Sequence, residues 1–110
     1  MKASVIRTGD QTITDLGGGV SRCVLSHNQE MMLVRVMFET GGIGAMHAHP
    51  HTQSTYVVSG KFRFTIDGRD EEVCAGDTIT FPSGIPHGTI CLEKGELIDI
   101  FTPCREDFLK

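Results

Sequence analysis

The sequence has no tryptophan, only one tyrosine, and no apolar run long enough to span a membrane. A membrane-spanning helix needs about 20 apolar residues. The first five residues lead into Arg7 and Asp10 rather than into the apolar core of a signal peptide. These absences predict a soluble cytoplasmic protein with no membrane partner.

Basic residues are also too few for a nucleic-acid surface. The 10 Lys and Arg residues are outnumbered by 14 Asp and Glu residues, which gives a net charge of -4. Proteins bind nucleic-acid backbones through clusters of positive charge, and this sequence has no basic run. We therefore expect no nucleic-acid partner.

The cysteines lack the close spacing of a metal or redox motif. They lie far apart and form no CxxC pair: Cys23, Cys74, Cys91 and Cys104. Isolated cysteines in apolar runs of a cytoplasmic protein are usually reduced and partly buried. The same state is expected here.

Short apolar runs that alternate with polar residues predict an all-β fold. Residues 32–38 have apolar side chains on both faces and predict a central strand. In residues 62–66 apolar and polar side chains alternate, which predicts a strand with one solvent-exposed face that leads into a hairpin turn at Asp67-Gly68. Further strands are expected at about 19–26, 55–58, 77–81, 88–92 and 96–101. With a short helix or capping turn at 103–110, the 110 residues predict a single domain over 1–110, a compact antiparallel barrel.

Closely spaced histidines suggest a metal site. His47, His49 and His51 fall within seven residues, and His87 follows Pro86. Residues i and i+2 of a strand point to the same face about 6.6 Å apart, so His47 and His49 could hold one divalent ion. Imidazole binds zinc, iron, nickel and copper, so the ligands leave the metal open. The alternative is a surface cluster of histidines without a metal.

Two longer spacing patterns enclose these histidines. The first contains Gly41, His47-x-His49, Gln53 and Gly60, and the second contains Gly76 and the run from Pro82 to His87. Both patterns resemble motifs of the cupin family, whose fold is a small double-stranded β-helix, a jelly-roll barrel with a metal at its centre. The resemblance implies one divalent transition metal ion (nickel, zinc, iron, manganese or cobalt) held by His47, His49, Gln53 and His87.

The sequence departs from the cupin pattern at two positions. Gln53 stands where a Glu is usual, and Cys91 stands where an Asn is frequent. Three neutral imidazoles and an amide would leave the ion with its full charge, which favours an anionic substrate and Lewis-acid chemistry at an enolate. Alternatively, Gln53 is a hydrogen-bonding residue outside the ligand set. His51 matches neither motif, and His27 lies in a polar turn.

The C-terminal segment adds three candidate functional residues. Asp99 and Phe101 share one face of an expected strand, and Arg105 follows soon after. Asp99 is a candidate for proton transfer, and Arg105 could clamp a carboxylate. The alternatives are an ion pair between Asp99 and Arg105 and a core role for Phe101.

This ending and the Gln in the ligand set resemble the small cupins of pectin and alginate breakdown. The resemblance implies a metal-dependent, isomerase-like enzyme that acts on 4,5-unsaturated monouronates. Ring opening and enol–keto tautomerisation would yield linear 5-keto-4-deoxyuronate, with Asp99, Phe101 and Arg105 in the catalytic set. It also suggests a homodimer. The alternatives are a cupin dioxygenase, which would consume oxygen, and a sensor that binds a sugar or small acid without turnover.

Overall fold

The structure, a computed structural model, describes residues 2–110 and consists almost entirely of β-strands. The eight strands are β1 (Ile13–Gly17), β2 (Val20–His27), β3 (Met32–Phe38), β4 (Ile43–His47), β5 (Thr52–Ile66), β6 (Arg69–Cys74), β7 (Thr78–Phe81) and β8 (His87–Thr102). Short 3₁₀ helices occupy Thr8–Asp10 and Glu106–Leu109. The all-β class and the short C-terminal helical turn are confirmed. No helix in residues 2–110 has the length and apolar character that crossing a bilayer requires.

Two long strands hold the barrel together. Along the sheet the strand order is β1-β2-β3-β8-β5-β6, with β4 also paired to β8 and β7 to β5, and every pairing is antiparallel. The end of β8 pairs with β3 and with the beginning of β5. The beginning of β8 pairs with β4 and with the end of β5. Strands β5 and β8 therefore contribute to both halves of the barrel.

The structure joins several segments that the sequence analysis separated. The segments expected at 88–92 and 96–101 form one strand, β8, and 55–58 continues through 62–66 as β5. The glycines between them mark bulges rather than turns, because the β5–β8 register shifts near Gly60 while pairing continues. Strand β1 was not expected, and β4 was expected only as a strand carrying His47 and His49; both are short and contain glycine.

Strand β3 and the β5–β6 hairpin lie where the sequence predicts them. Strand β3 is central, between β2 and β8, although its second face is only half-buried. The β5–β6 hairpin turns at Asp67 and Gly68, which have φ of 48° and 82°. Positive φ at both central residues is typical of the two-residue hairpin turn that was expected.

The core consists of two apolar clusters that contact the same residue, Val36. The larger contains Val20, Phe38, Val57, Phe62, Phe64, Phe81, Cys91 and Leu97. The smaller contains Met32, Val34, Phe101 and Cys104. All four cysteines are free thiols, and three are buried, whereas Cys74 is exposed.

Gly60, the one glycine of β5, should be sensitive to substitution. It has φ of 84°, and a Cβ there would lie 2.6 Å from the Cα of Gly95. We expect Gly60→Ala to lower the free energy of unfolding by about 3 kcal/mol or more, because backbone strain adds to a backbone clash. Urea unfolding measures the loss.

Gly68→Ala is the matched control. Gly68 has a similar φ of 82° but no heavy atom within 4 Å of an added Cβ. Its substitution should cost only the positive-φ strain, about 1–2 kcal/mol. Equal losses for the two variants would contradict the close approach at Gly60.

Candidate metal centre

A cavity of about 360 Å³ lies inside the barrel and contains most of the expected site residues. Apolar walls come from both core clusters, including Val20, Val36, Leu97 and Phe101. Polar side chains reach the same space: His47, Gln53, His87, Asp99 and Arg105. All the residues predicted for the site except His49 therefore line one cavity.

Three histidines converge at one end of this cavity. Pairing of β4 with β8 places His47 opposite His87, with ring centres 4.4 Å apart. The ring centre of His49 lies 5.3 Å from that of His47 and 5.1 Å from that of His87. One ring nitrogen of each lies within 4.8 Å of the others. Of the His-x-His pair only His47 belongs to a strand, so the expectation of a strand-borne clamp is wrong for His49, which follows β4 in a loop.

Backbone carbonyls fix the tautomer of each histidine. The Nδ1 atoms of His47, His49 and His87 lie 2.8, 3.1 and 2.9 Å from carbonyl oxygens of nearby residues. A carbonyl only accepts, so each Nδ1 must carry the proton and donate. The Nε2 atoms are then unprotonated in the neutral rings, which is the form that binds metals.

The side-chain oxygen of Gln53 points toward the three histidines. The hydroxyl of Thr55 donates to Asp99 at 2.6 Å, so it accepts from the amide nitrogen of Gln53 at 2.9 Å. This fixes the amide and leaves Gln53 Oε1 2.9 Å from Nε2 of His49. In the tautomer fixed above both atoms are acceptors, so a cation between them would satisfy both.

Burial favours the neutral form of the His49 and His87 imidazoles. His87 stacks on Phe81 with ring centres 4.3 Å apart, and its buried Nε2 has no hydrogen-bond partner among the described residues. Burial lowers the pKa of His87 to about 4 and also lowers the pKa of His49. His47 is exposed at the mouth, which gives an ion a path to the site. An orphaned nitrogen and a set of nitrogen and oxygen acceptors fit a divalent transition metal.

A hydrogen-bonded chain connects this centre to Asp99. The β5–β8 register places Gln53 opposite Phe101 and Thr55 opposite Asp99. The chain runs from Gln53 to the Thr55 hydroxyl and on to the Asp99 carboxylate. Burial raises the pKa of Asp99 to about 6, against the hydrogen bonds from Thr55 and Gln53. Asp99 is thus a carboxyl group that can hold or release a proton near neutral pH.

Arg105 lines the cavity but has a partner of its own. Its Nε and Nη2 lie 3.3 and 2.8 Å from the carboxylate oxygens of Asp107, and this contact lowers the pKa of Asp107. Its guanidinium carbon lies 5.1 Å from the ring centre of Phe101. The ion pair between Asp99 and Arg105 considered above does not occur among the described residues, where Asp107 takes that place.

Sequence analysis missed Thr55 and Arg22. Thr55 is fully buried and connects Gln53 to Asp99, and Arg22 lines the cavity from β2. Each lies two residues along its strand from other inward-facing residues, and this spacing was the available sequence signal. His51 offers its backbone carbonyl to His49, but its ring lies outside the three-histidine group, and His27 is exposed at the end of β2.

A small antiparallel barrel with three converging histidines defines a class of metal-binding β-proteins. Comparison with known families identifies the class more closely, since the sequence model of the cupin domain matches residues 34–101. The chain belongs to the cupin family.

Three proteins of known sequence or structure are similar to this chain over most of their length. The pectin degradation protein KdgF of Dickeya dadantii (strain 3937) is 38% identical over 97 residues, which is 86% of this chain and 88% of that protein. An RmlC-like cupin structure from Shewanella frigidimarina NCIMB 400 is 40% identical with a TM-score of 0.91, over 97% of this chain and 96% of that one. The structure of KdgF from Halomonas sp. is 31% identical with a TM-score of 0.91, over 97% and 99% of the two chains.

Removal of one imidazole should abolish tight metal binding. We expect His87→Ala to weaken the affinity for Ni²⁺ or Zn²⁺ more than ~100-fold, because loss of a direct ligand exceeds the effect of residues around the ligands. Titration calorimetry measures the affinity. His27→Ala is the control, since His27 is exposed and outside the three-histidine group. Unchanged affinity in His87→Ala would exclude His87 as a ligand.

Asp99→Asn should stabilise the metal-free protein above pH 6. The folded carboxyl has its pKa raised to about 6, so above that pH folding requires a buried charge that the unfolded chain carries in water. The difference between the folded and unfolded pKa of Asp99 corresponds to a gain in stability of roughly 2–3 kcal/mol for the variant. This gain should disappear below about pH 4, where Asp99 is protonated in both states.

Urea unfolding with a chelator at pH 8 and pH 3.5 tests this expectation. Asp15→Asn, on the exposed edge strand β1, is the control and should show no comparable gain. An Asp99→Asn variant that is less stable at pH 8 would show that the charged carboxylate is favoured in the fold.

Proposed function

We propose that the chain is a metal-dependent enzyme that converts 4,5-unsaturated monouronates from pectin or alginate lyases into linear 5-keto-4-deoxyuronate. The observation that carries the proposal is the chain from the three-histidine centre through Gln53 and Thr55 to Asp99. It connects a candidate metal centre to a group that titrates near neutral pH. Similarity to two KdgF proteins supports the substrate class, since one of them is named for pectin degradation.

The proposed metal ligands are His47, His49, Gln53 and His87. A bound divalent ion would supply Lewis-acid stabilisation of the negative charge that develops on the substrate oxygens. The protein supplies the orientation, because backbone carbonyls hold the histidine rings and Thr55 holds the Gln53 amide. These neutral side chains leave the charge of the ion available to an anionic substrate.

The reaction rearranges protons without an oxidant or water. Ring opening breaks the bond between C1 and the ring oxygen, while the C1 hydroxyl loses its proton and becomes a carbonyl. The ring oxygen becomes an enol hydroxyl on C5, and the enol becomes a ketone when C4 gains a proton and the hydroxyl loses one. Asp99 is proposed to move the proton between this oxygen and C4, since burial raises its pKa to about 6.

Phe101 and Arg105 are proposed to position the substrate. Phe101 is 2% exposed, and its ring forms an apolar wall 5.6 Å from the ring centre of His49, which limits access of water. Asp107 occupies the Nε–Nη2 edge of Arg105, so a carboxylate would meet the Nη1 side of the guanidinium. The homodimer and the cytoplasmic location expected from the sequence stay predictions.

The test is the rate at which 4,5-unsaturated galacturonate loses its ultraviolet absorbance, measured against the spontaneous reaction. We expect metal-loaded protein to accelerate the loss, and a chelator to return it to the background rate. Asp99→Asn should lower kcat at least ~100-fold, the lower end of what a positioned proton-transfer group supplies.

Asp15→Asn again serves as the control, because it makes the same chemical change on β1. Failure of the metal-loaded protein to exceed the background would contradict the proposed reaction. Oxygen consumption with the same substrate would favour a cupin dioxygenase instead.

A further inference from the structure

Arg22 occupies a position of β2 where an apolar residue would be expected. Val20 and Val24, its neighbours on the same face, contribute to the two core clusters. Across the sheet Arg22 is paired with Val36, which in turn is paired with Leu97. Arg22, Val36 and Leu97 line the same cavity. The guanidinium of Arg22 therefore lies among apolar side chains, and its partial removal from water costs free energy.

The guanidinium groups of Arg22 and Arg105 both contact the ring of Phe108. Their Cζ atoms lie 3.9 and 4.0 Å from the centre of the Phe108 ring. Burial and the charge of Arg105 lower the pKa of Arg22, although Asp107 opposes this. Two like charges on one ring are unfavourable unless anions compensate them.

Compensation is incomplete within the protein. Asp107 is ion-paired with Arg105, whereas no carboxylate among residues 2–110 lies within ion-pair distance of Arg22. Among the described side chains at this site, Arg105 donates its hydrogen bonds to Asp107, and Asp99 accepts one from the Thr55 hydroxyl. Arg22 is therefore a half-buried cation in the cavity wall, and it has no ion-pair partner among residues 2–110.

We propose that Arg22 binds the carboxylate of the substrate and is the main source of selectivity for an acidic sugar over a neutral one. The identity of the ligand rests on the proposed function. Arg105 is held by Asp107 and orients the carboxylate, and Arg22 contributes the uncompensated charge. A planar guanidinium suits this role because it can donate two parallel hydrogen bonds to one carboxylate.

A purely structural role for Arg22 makes a different prediction. Stacking on Phe108 would hold the C-terminal 3₁₀ helix against the barrel whatever ligand is present. Loss of Arg22 would then lower stability and would affect charged and neutral ligands alike. Selectivity between an acid and its ester separates the two roles.

The experiment measures binding of galacturonate and of its neutral methyl ester to metal-loaded protein by titration calorimetry. Neither ligand has the 4,5-double bond, so no turnover interferes. We expect Arg22→Gln to reduce the preference for the acid by about 10- to 100-fold, as for loss of a charge-assisted hydrogen bond. Arg63→Gln makes the same change on the exposed face of β5 and should leave the preference unchanged.

Arg22→Met keeps the apolar stem over Phe108 and provides the same measurement if Arg22→Gln is unstable. An unchanged preference in the folded variant would overturn the proposal, as would a wild-type protein that binds acid and ester equally. A wild-type protein that binds the acid through Arg22 but does not accelerate the uronate reaction would contradict the proposed function and leave this proposal standing.

Discussion

Antiparallel pairing of β5 with β8 is the constraint on which the rest of the structure depends. Both strands pass through the two halves of the barrel, and their bulges near Gly60 let them change direction without interrupting the pairing. The register places Gln53 and Thr55 opposite Phe101 and Asp99. A slip of β5 by one residue would turn Gln53 and Thr55 to the opposite face, away from Phe101 and Asp99. The strand pairing that stabilises the fold thus also assembles the candidate site.

The candidate site combines neutral side chains that could hold a metal ion with charged groups nearby. Carbonyls that fix the histidine tautomers leave nitrogen acceptors facing one point, and the Gln53 oxygen joins them. A Glu in place of Gln53 would bring a negative charge to this centre and repel a carboxylate substrate. The charges lie elsewhere in the cavity, on Asp99, Arg22 and Arg105. The charged side chains thus lie beside the three-histidine group rather than within it.

Much of this arrangement follows from local sequence patterns. Apolar alternation located most strands, and the spacing of His47, His49, Gln53 and His87 selected residues that the fold brings together. The continuity of β5 and β8 was missed, because glycines that mark bulges and glycines that mark turns look alike in a sequence. The Asp107–Arg105 ion pair and the Thr55 connection were missed because each depends on side-chain geometry that no local pattern determines. Arg22 was missed because an inward arginine and an outward one differ only in strand register.

The pairing of β4 with β8 also has a consequence for how the protein folds. His47 and His87 are opposite each other only in this pairing, which joins segments far apart in the chain. Contacts of large sequence separation form late, because chain entropy must be lost before they contribute. The β5–β6 hairpin closes locally, but the histidines meet only when the barrel closes. Capture of a metal ion by these histidines would therefore belong to the last stage of folding, and an ion bound to the mature protein would slow unfolding far more than it speeds folding.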